Sequence, residues 1–103
     1  RDENFKLAAN RELVEETGYR AARLEELLVG PSTPGMSDEI ITIYFADGLE
    51  KVGPGGGDSS EDITVHLMPL DSAEAWLKDK SDEGILLDLK IYAGMYWAGM
   101  RSR

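Results

Sequence analysis

The sequence contains no cysteine and a single histidine, His66. Disulfides and thiolate metal sites are therefore excluded, which fits a reducing compartment, and we expect a cytoplasmic protein. No apolar run approaches the roughly 20 residues that a membrane span requires. His66 lies in an alternating segment, where a histidine is more often packed or hydrogen-bonded than catalytic, so we assign it no role.

Basic residues are also scarce: 11 Lys and Arg stand against 20 Asp and Glu, and the formal net charge is −9. Nucleic-acid binding draws its affinity from clusters of Lys and Arg, so this class of partner is not expected. An acidic protein can still bind an anionic phosphate when a divalent cation mediates between them. The length of 103 residues and the 42% of hydrophobic residues favour one compact domain, residues 1–103, without an internal boundary.

The first part of the sequence predicts a helix followed by strands. Residues 3–17 are rich in Ala, Leu and Glu, contain no Gly or Pro, and precede Gly18, a typical helix-ending residue. Residues 40–46 are β-branched and aromatic almost throughout, which predicts a strand buried on both faces. The other predicted elements are strands at 23–29 and 63–68, helices at 71–80 and 83–100, and loops at 30–35 and 47–62.

Three carboxylates crowd one face of the first predicted helix. At about 100° of rotation per residue, Glu12, Glu15 and Glu16 fall within an arc of roughly 100°. Phe5 and Ala8 share that arc, so the acids do not have a solvated face to themselves. A divalent cation that prefers oxygen ligands, such as Mg²⁺, would relieve the repulsion between these carboxylates. A plain solvated acidic surface is the alternative.

The same segment carries a family motif. Glu3 is followed, after seven residues, by the run Arg11-Glu12-Leu13-Val14-Glu15-Glu16-Thr17-Gly18-Tyr19. This arrangement resembles the Nudix box, G-x5-E-x7-R-E-U-x-E-E-x-G-U, in which U is a bulky aliphatic or aromatic residue. Every position from the first Glu onward is filled. The opening Gly would lie before Arg1, outside this sequence, so we expect an N-terminally incomplete sequence that lacks the preceding strands and is not fully active by itself.

The resemblance implies an α/β (α+β) protein, a Nudix-type α/β/α sandwich around a mixed sheet, that acts as an Mg²⁺- or Mn²⁺-dependent hydrolase. It assigns the metal to Glu12, Glu15 and Glu16, with Glu3 contributing to the metal or its surroundings. Arg11 would orient a glutamate through charge-assisted hydrogen bonds and, like Glu16, would belong to the catalytic machinery.

Downstream of the box, the resemblance extends to the ADP-ribose and nucleotide-sugar pyrophosphatases. Pro34 follows Tyr19 by fifteen residues, a spacing associated with ADP-ribose pyrophosphatases, and residues 32–39 resemble the substrate loop of that branch, with Glu39 at an acidic position. A rigid turn is the alternative. Enzymes of this branch are typically homodimers whose subunits complete each other's site, so a homodimer is expected. Core or dimer contacts are also expected for four aromatic residues, Trp76, Tyr92, Tyr96 and Trp97.

Residues 61–66 resemble the later loop of this branch, which supplies a carboxylate general base for the attacking water. Glu61 is the preferred base; Asp58 and Asp62 are rivals, and a solvated acidic turn is the plain alternative. The expected reaction is hydrolysis of ADP-ribose or a related nucleotide sugar to a nucleoside monophosphate and a sugar phosphate. Two alternatives stay open: another diphosphate substrate such as GDP-mannose, or a module that binds ADP-ribose without cleaving it.

Overall fold

The computed structural model describes the backbone of residues 2–101 and the side chains of residues 4–101. Its elements are α1 (Asp2–Thr17), β1 (Tyr19–Pro31), β2 (Ile40–Lys51), a 3-10 turn (Leu70–Ser72), α2 (Ala73–Asp82) and α3 (Leu89–Arg101). Helices and an antiparallel sheet confirm the predicted α+β class. The chain forms two compact units, residues 1–65 and residues 66–103.

Helix α1 confirms the helix predicted for residues 3–17 and ends where Gly18 indicated. The Gly18 N–H donates to the Val14 carbonyl at 2.8 Å, and Gly18 adopts a φ of 80°, a value that favours glycine. The Thr17 hydroxyl donates to the Leu13 carbonyl at 2.7 Å and accepts from the Tyr19 N–H at 3.1 Å. These bonds turn the chain directly from α1 into β1.

Asn10 fastens α1 to β1. Its amide nitrogen donates to the Ala21 carbonyl at 2.9 Å, and its amide oxygen accepts from the Ala21 N–H at 3.0 Å. Ala21 is only 4% exposed, so the two backbone groups that Asn10 satisfies lie away from water. An adjoining cavity of about 390 Å³ is lined by residues of both elements, namely Lys6, Leu7, Asn10, Ala21, Ala22 and Leu24.

Strands β1 and β2 form an antiparallel hairpin. Tyr19 faces Lys51 at one end of the ladder, Pro31 faces Ile40 at the other, and the register shifts between residues 26 and 28. Two ion pairs cross the strands on exposed positions, Arg20 with Glu50 and Arg23 with Asp47. Exposed pairs of this kind contribute little to stability, so the register depends mainly on the backbone ladder and the half-buried side chains.

Two strand predictions differ from the structure. Residues 41–47 of β2 are half-buried rather than buried on both faces, because within residues 2–65 the only helix, α1, packs on β1. The strand predicted at 63–68 is wrong, since these residues form no ladder in the described chain. Their β-branched composition supplies strand propensity, but a strand also needs a neighbour with which its backbone can pair.

The second unit contains both remaining helices. Helix α2 begins two residues later than predicted, after the 3-10 turn, and buries Leu77, which is 7% exposed. The predicted helix at 83–100 begins only at Leu89, because Gly84 has a φ of 92° and its N–H bonds to the Ser81 carbonyl at 2.9 Å, which ends α2. None of the described helices combines the length and the hydropathy needed to cross a membrane.

The aromatic side chains of the second unit contact one another, but some of them remain largely exposed. The rings of His66 and Trp76 lie 4.9 Å apart, so the single histidine packs against an aromatic residue of α2. Tyr96 and Trp97 pack edge to face at 5.5 Å but are 62% and 45% exposed. A cavity of about 300 Å³ is lined by Glu74, Leu77, Tyr92, Met95 and Tyr96.

Candidate active site

The three acidic residues assigned to a metal lie in the C-terminal part of α1. Glu12, Glu15 and Glu16 are all exposed, and spacings of three and four residues make them neighbours on the helix surface. Among the described side chains, no Lys or Arg forms an ion pair with them. Arg20, the basic residue that follows the helix, is instead paired with Glu50 at 2.5 Å. Among residues 4–101, the acidic face therefore has no paired cation to balance it.

The chemistry of these donors fits a hard divalent cation. Carboxylate oxygens suit Mg²⁺, which keeps several waters and commonly binds one or two carboxylates together with substrate phosphates. Within the described residues, no group of three or more His, Cys, Asp or Glu side chains is arranged to hold a metal ion. The side chain of Glu3 lies outside the described residues.

Residues 53–57, which we call the glycine strap, are bound to the C-terminal end of α1. The Gly56 N–H donates to the Glu16 carbonyl at 2.8 Å, and the Gly57 N–H donates to the Glu15 carbonyl at 2.9 Å. Just before them, the N–H groups of Val52 and Gly53 donate to the Gly18 carbonyl at 2.8 and 3.1 Å, respectively. Carbonyls at the end of a helix lack partners within it, and the strap supplies those partners.

The strap leads directly into a hydrogen-bonded turn, residues 58–61. The Glu61 N–H donates to the Asp58 carbonyl at 3.1 Å, and Glu61 Oε1 accepts from the Asp58 N–H at 3.0 Å. Asp58 Oδ1 accepts from the Ser60 N–H at 2.8 Å and from the Ser60 hydroxyl at 2.5 Å. The hydrogen bond from the Ser60 hydroxyl and, to a smaller extent, the bond from the Ser60 N–H lower the pKa of the Asp58 carboxyl from its ordinary value. The strap therefore connects this acidic turn to the helix backbone at Glu15 and Glu16.

The candidate substrate loop, residues 32–39, connects the other end of the hairpin. The Ser32 hydroxyl donates to Glu39 Oε1 at 2.6 Å, the Ser32 N–H donates to the Glu39 carbonyl at 3.2 Å, and Pro34 is exposed. The β1–β2 ladder separates this loop from the strap, and at about 3.3 Å per residue its length is on the order of 40 Å. In one copy of the chain, Pro34 and Glu39 are thus not brought together with Glu61.

Arg11 is exposed and forms no ion pair with any described side chain, so its orienting role stays a prediction. Sequence analysis singled out neither Asn10 nor the attachment of the strap to α1. The available signal for the strap was the run of residues 53–57, four of them glycine, immediately before an acidic loop. Such a run allows close approach between backbones but does not indicate which partner is approached.

Comparison with known proteins assigns the family. A family model described as the NUDIX domain matches residues 1–89. This chain belongs to the NUDIX domain family. The resemblance based on residues 3–19 is confirmed, and the two described strands and three helices represent part of a Nudix fold.

The curated relatives that this NUDIX chain matches are named for different activities. It is 39% identical over 79 residues to the methanol dehydrogenase activator of Bacillus methanolicus, covering 76% of this chain and 43% of that protein. It is 31% identical over 91 residues to the GDP-mannose pyrophosphatase of Cronobacter sakazakii, covering 86% and 46%. It is 38% identical over 68 residues to the ADP-ribose pyrophosphatase of Mycobacterium tuberculosis, covering 65% and 33%. The chain thus spans less than half the length of these relatives.

Proposed function

We propose that this NUDIX domain serves the metal-dependent hydrolysis of the diphosphate linkage in ADP-ribose or a related nucleotide sugar, giving a nucleoside monophosphate and a sugar phosphate. One observation carries the proposal: the glycine strap attaches the turn that bears Glu61 to the backbone of Glu15 and Glu16. The candidate base and two candidate metal ligands thereby belong to one hydrogen-bonded substructure. Hydrolysis of a diphosphate requires that a proton acceptor and charge-neutralising groups lie close together.

Glu12, Glu15 and Glu16 would hold Mg²⁺ or Mn²⁺, and we assign Glu3 to the same group of ligands. When bound, a divalent ion supplies charge neutralisation to the diphosphate and a lowered pKa to a nearby water. Arg11 would donate charge-assisted hydrogen bonds to one of the glutamates and hold its carboxylate in orientation. The exposed position of the three glutamates leaves room for a substrate phosphate to complete the site.

Glu61 is the preferred general base in this proposal. Its Oε1 accepts the Asp58 N–H, and a carboxylate has acceptor capacity on its second oxygen for a water proton. Asp58 is less suited, because its Oδ1 accepts two bonds from Ser60 and its pKa is lowered, which weakens it as a proton acceptor. Asp62, the other rival, lies just outside the turn that the strap attaches to α1.

We further propose that Pro34 and Glu39 contact substrate bound in a neighbouring copy and that the protein acts as a homodimer. Their separation from Glu61 by the full β1–β2 ladder supports this arrangement. The bonds between Ser32 and Glu39 support a preformed loop, which could enter a neighbouring site without first becoming ordered. A cytoplasmic location stays a prediction of the cysteine-free sequence.

GDP-mannose is the second candidate substrate, because two relatives are named GDP-mannose pyrophosphatase. The test is a substrate panel with the full-length protein, in which ADP-ribose and GDP-mannose are incubated with and without Mg²⁺ and products are identified by ³¹P NMR. We expect AMP and ribose phosphate from ADP-ribose, with release dependent on Mg²⁺. Tight binding of ADP-ribose in calorimetry without any product would instead identify a non-catalytic binding module.

The matched variants for this test are Glu16→Gln and Glu26→Gln. Both remove one exposed negative charge, but Glu26 lies on β1, away from the acidic end of α1. We expect Glu16→Gln to lose most of its turnover with an unchanged circular dichroism spectrum, while Glu26→Gln stays active. Equal activities of the two variants would contradict the assignment of Glu16.

A further inference from the structure

Gly57 lies under the side chain of Glu61. A methyl group on Gly57 would be 2.5 Å from Glu61 Oε1 and 2.9 Å from both Cβ and Cδ of the same residue. Cβ atoms in folded proteins essentially never approach other atoms this closely, so either the methyl group or the Glu61 side chain would have to shift. Because Gly57 has a hydrogen atom where other residues have Cβ, the Glu61 carboxylate can fold back over the strap.

Two consecutive peptide groups connect this carboxylate to α1. The Gly57 N–H donates to the Glu15 carbonyl at 2.9 Å, and the next N–H, that of Asp58, donates to Glu61 Oε1 at 3.0 Å. The backbone between residues 57 and 58 therefore has the helix on one side and the Glu61 carboxylate on the other. A shift of Glu61 would break the second bond while leaving the first one intact.

We propose that Gly57 is a positioning residue, which sets the place of the Glu61 carboxylate relative to the glutamate-bearing end of α1 through its missing side chain. The inference rests on the proposed function, because it takes Glu61 as the base. A general base must lie within hydrogen-bond reach of the proton that it accepts, and misplacement by about 1 Å can reduce turnover 100-fold. Gly57 acts through Glu61 and does not itself contact substrate.

Gly56 provides a matched control within the strap. Gly56 and Gly57 both have left-handed backbones, with φ values of 91° and 80°, so alanine is strained at either position. A methyl group on Gly56, however, would meet no atom closer than the Ile63 carbonyl oxygen, at 3.9 Å. The comparison of Gly56→Ala with Gly57→Ala thus separates displacement of Glu61 from backbone strain.

The experiment measures kcat and KM of the full-length protein and four variants: Gly56→Ala, Gly57→Ala, Glu61→Ala and the double variant Gly57→Ala/Glu61→Ala. We expect Gly57→Ala to lower kcat about 100-fold, with little change in KM, while Gly56→Ala keeps most of the turnover. Glu61→Ala should lower kcat by about 10²- to 10⁴-fold. Adding Gly57→Ala to Glu61→Ala should cause no further loss, since the carboxylate that it displaces is already gone.

Equal kcat values for Gly56→Ala and Gly57→Ala would overturn the inference and leave the hydrolase function intact. So would a loss from Gly57→Ala of the same size in the presence and in the absence of the Glu61 side chain, or full turnover of Glu61→Ala. A wild-type protein that releases no product with Mg²⁺ would overturn the proposed function, and the inference with it. If Gly57→Ala unfolds, thermal melting of Gly57→Ala/Glu61→Gly decides, because this variant also removes the Glu61 Cβ atom that the methyl group would meet. Melting at the temperature of Gly56→Ala/Glu61→Gly supports the clash with Glu61, and failure to fold contradicts it.

Discussion

Replacing Gly55 with alanine should detach the glycine strap from α1. Gly55 has a φ of 70°, and a methyl group there would lie 2.6 Å from the Thr17 carbonyl carbon and 2.8 Å from the Thr17 oxygen. Thr17 is the last residue of α1 and its backbone is held by the helix, so the strap must move. The hydrogen bonds that follow, from Gly56 to Glu16 and from Gly57 to Glu15, would then be lost.

The expected loss of stability in Gly55→Ala has two contributions, the strain of a left-handed backbone at residue 55 and the loss of two backbone hydrogen bonds. A left-handed conformation costs a residue other than glycine about 1–2 kcal/mol. Each lost backbone hydrogen bond costs about 0.5–1.5 kcal/mol, so the free energy of unfolding should fall by roughly 2–5 kcal/mol in Gly55→Ala. Gly35 is the matched control, because it has a φ of 82° but no atom within 4 Å of an added methyl group. Gly35→Ala should lose only the first contribution.

Urea unfolding followed by circular dichroism measures both changes, with linear extrapolation to zero denaturant. We expect Gly55→Ala to unfold at a clearly lower urea concentration than Gly35→Ala. Equal losses of stability in the two variants would refute the close packing of the strap against Thr17, and with it the route by which the acidic turn is attached to α1.

Three further predictions concern single side chains. Asn10→Ala should lower the free energy of unfolding in urea by about 1–3 kcal/mol, because the backbone groups of Ala21 lose their partners; an unchanged midpoint would contradict this. Ser60→Ala should raise the pKa of Asp58 toward its ordinary value of 3.8 in an NMR titration. Because the pKa of Asp58 is lowered in the folded state, its carboxylate stabilises the folded protein above pH 3.8. This stabilisation is lost as the pH falls through the folded-state pKa, and Ser60→Ala should make the loss of stability smaller. His66→Gln should leave kcat nearly unchanged, and a large loss of kcat would show that the histidine takes part in catalysis.

Local patterns were sufficient for the parts of the fold that depend on neighbouring residues. Helix α1 follows from its Ala, Leu and Glu content and from Gly18, and both are properties of consecutive residues. The crowding of Glu12, Glu15 and Glu16 follows from helical geometry alone. The late start of α3 was also within reach, because Gly84 lies inside the segment that the apolar spacing assigned to a helix.

Contacts between distant segments were not predictable in the same way. Residues 63–68 have strand propensity but no ladder, because pairing depends on a neighbour that the sequence of those residues does not specify. The strap is rich in glycine, yet its bonds to Glu15 and Glu16 depend on where the hairpin returns the chain. The placement of Pro34 at the opposite end of the ladder likewise follows from the long β1–β2 register rather than from a motif.

Paramagnetic NMR with Mn²⁺ tests most directly whether the acidic end of α1 and the acidic turn form one cation-binding site. Substoichiometric Mn²⁺ is added to the ¹⁵N-labelled full-length protein, and loss of amide signals is followed with Mg²⁺ as competitor. We predict that the signals of residues 12–16 and 56–61 broaden together and recover with excess Mg²⁺. Broadening confined to another acidic segment, such as residues 79–83, or no selective broadening at all, would contradict the account.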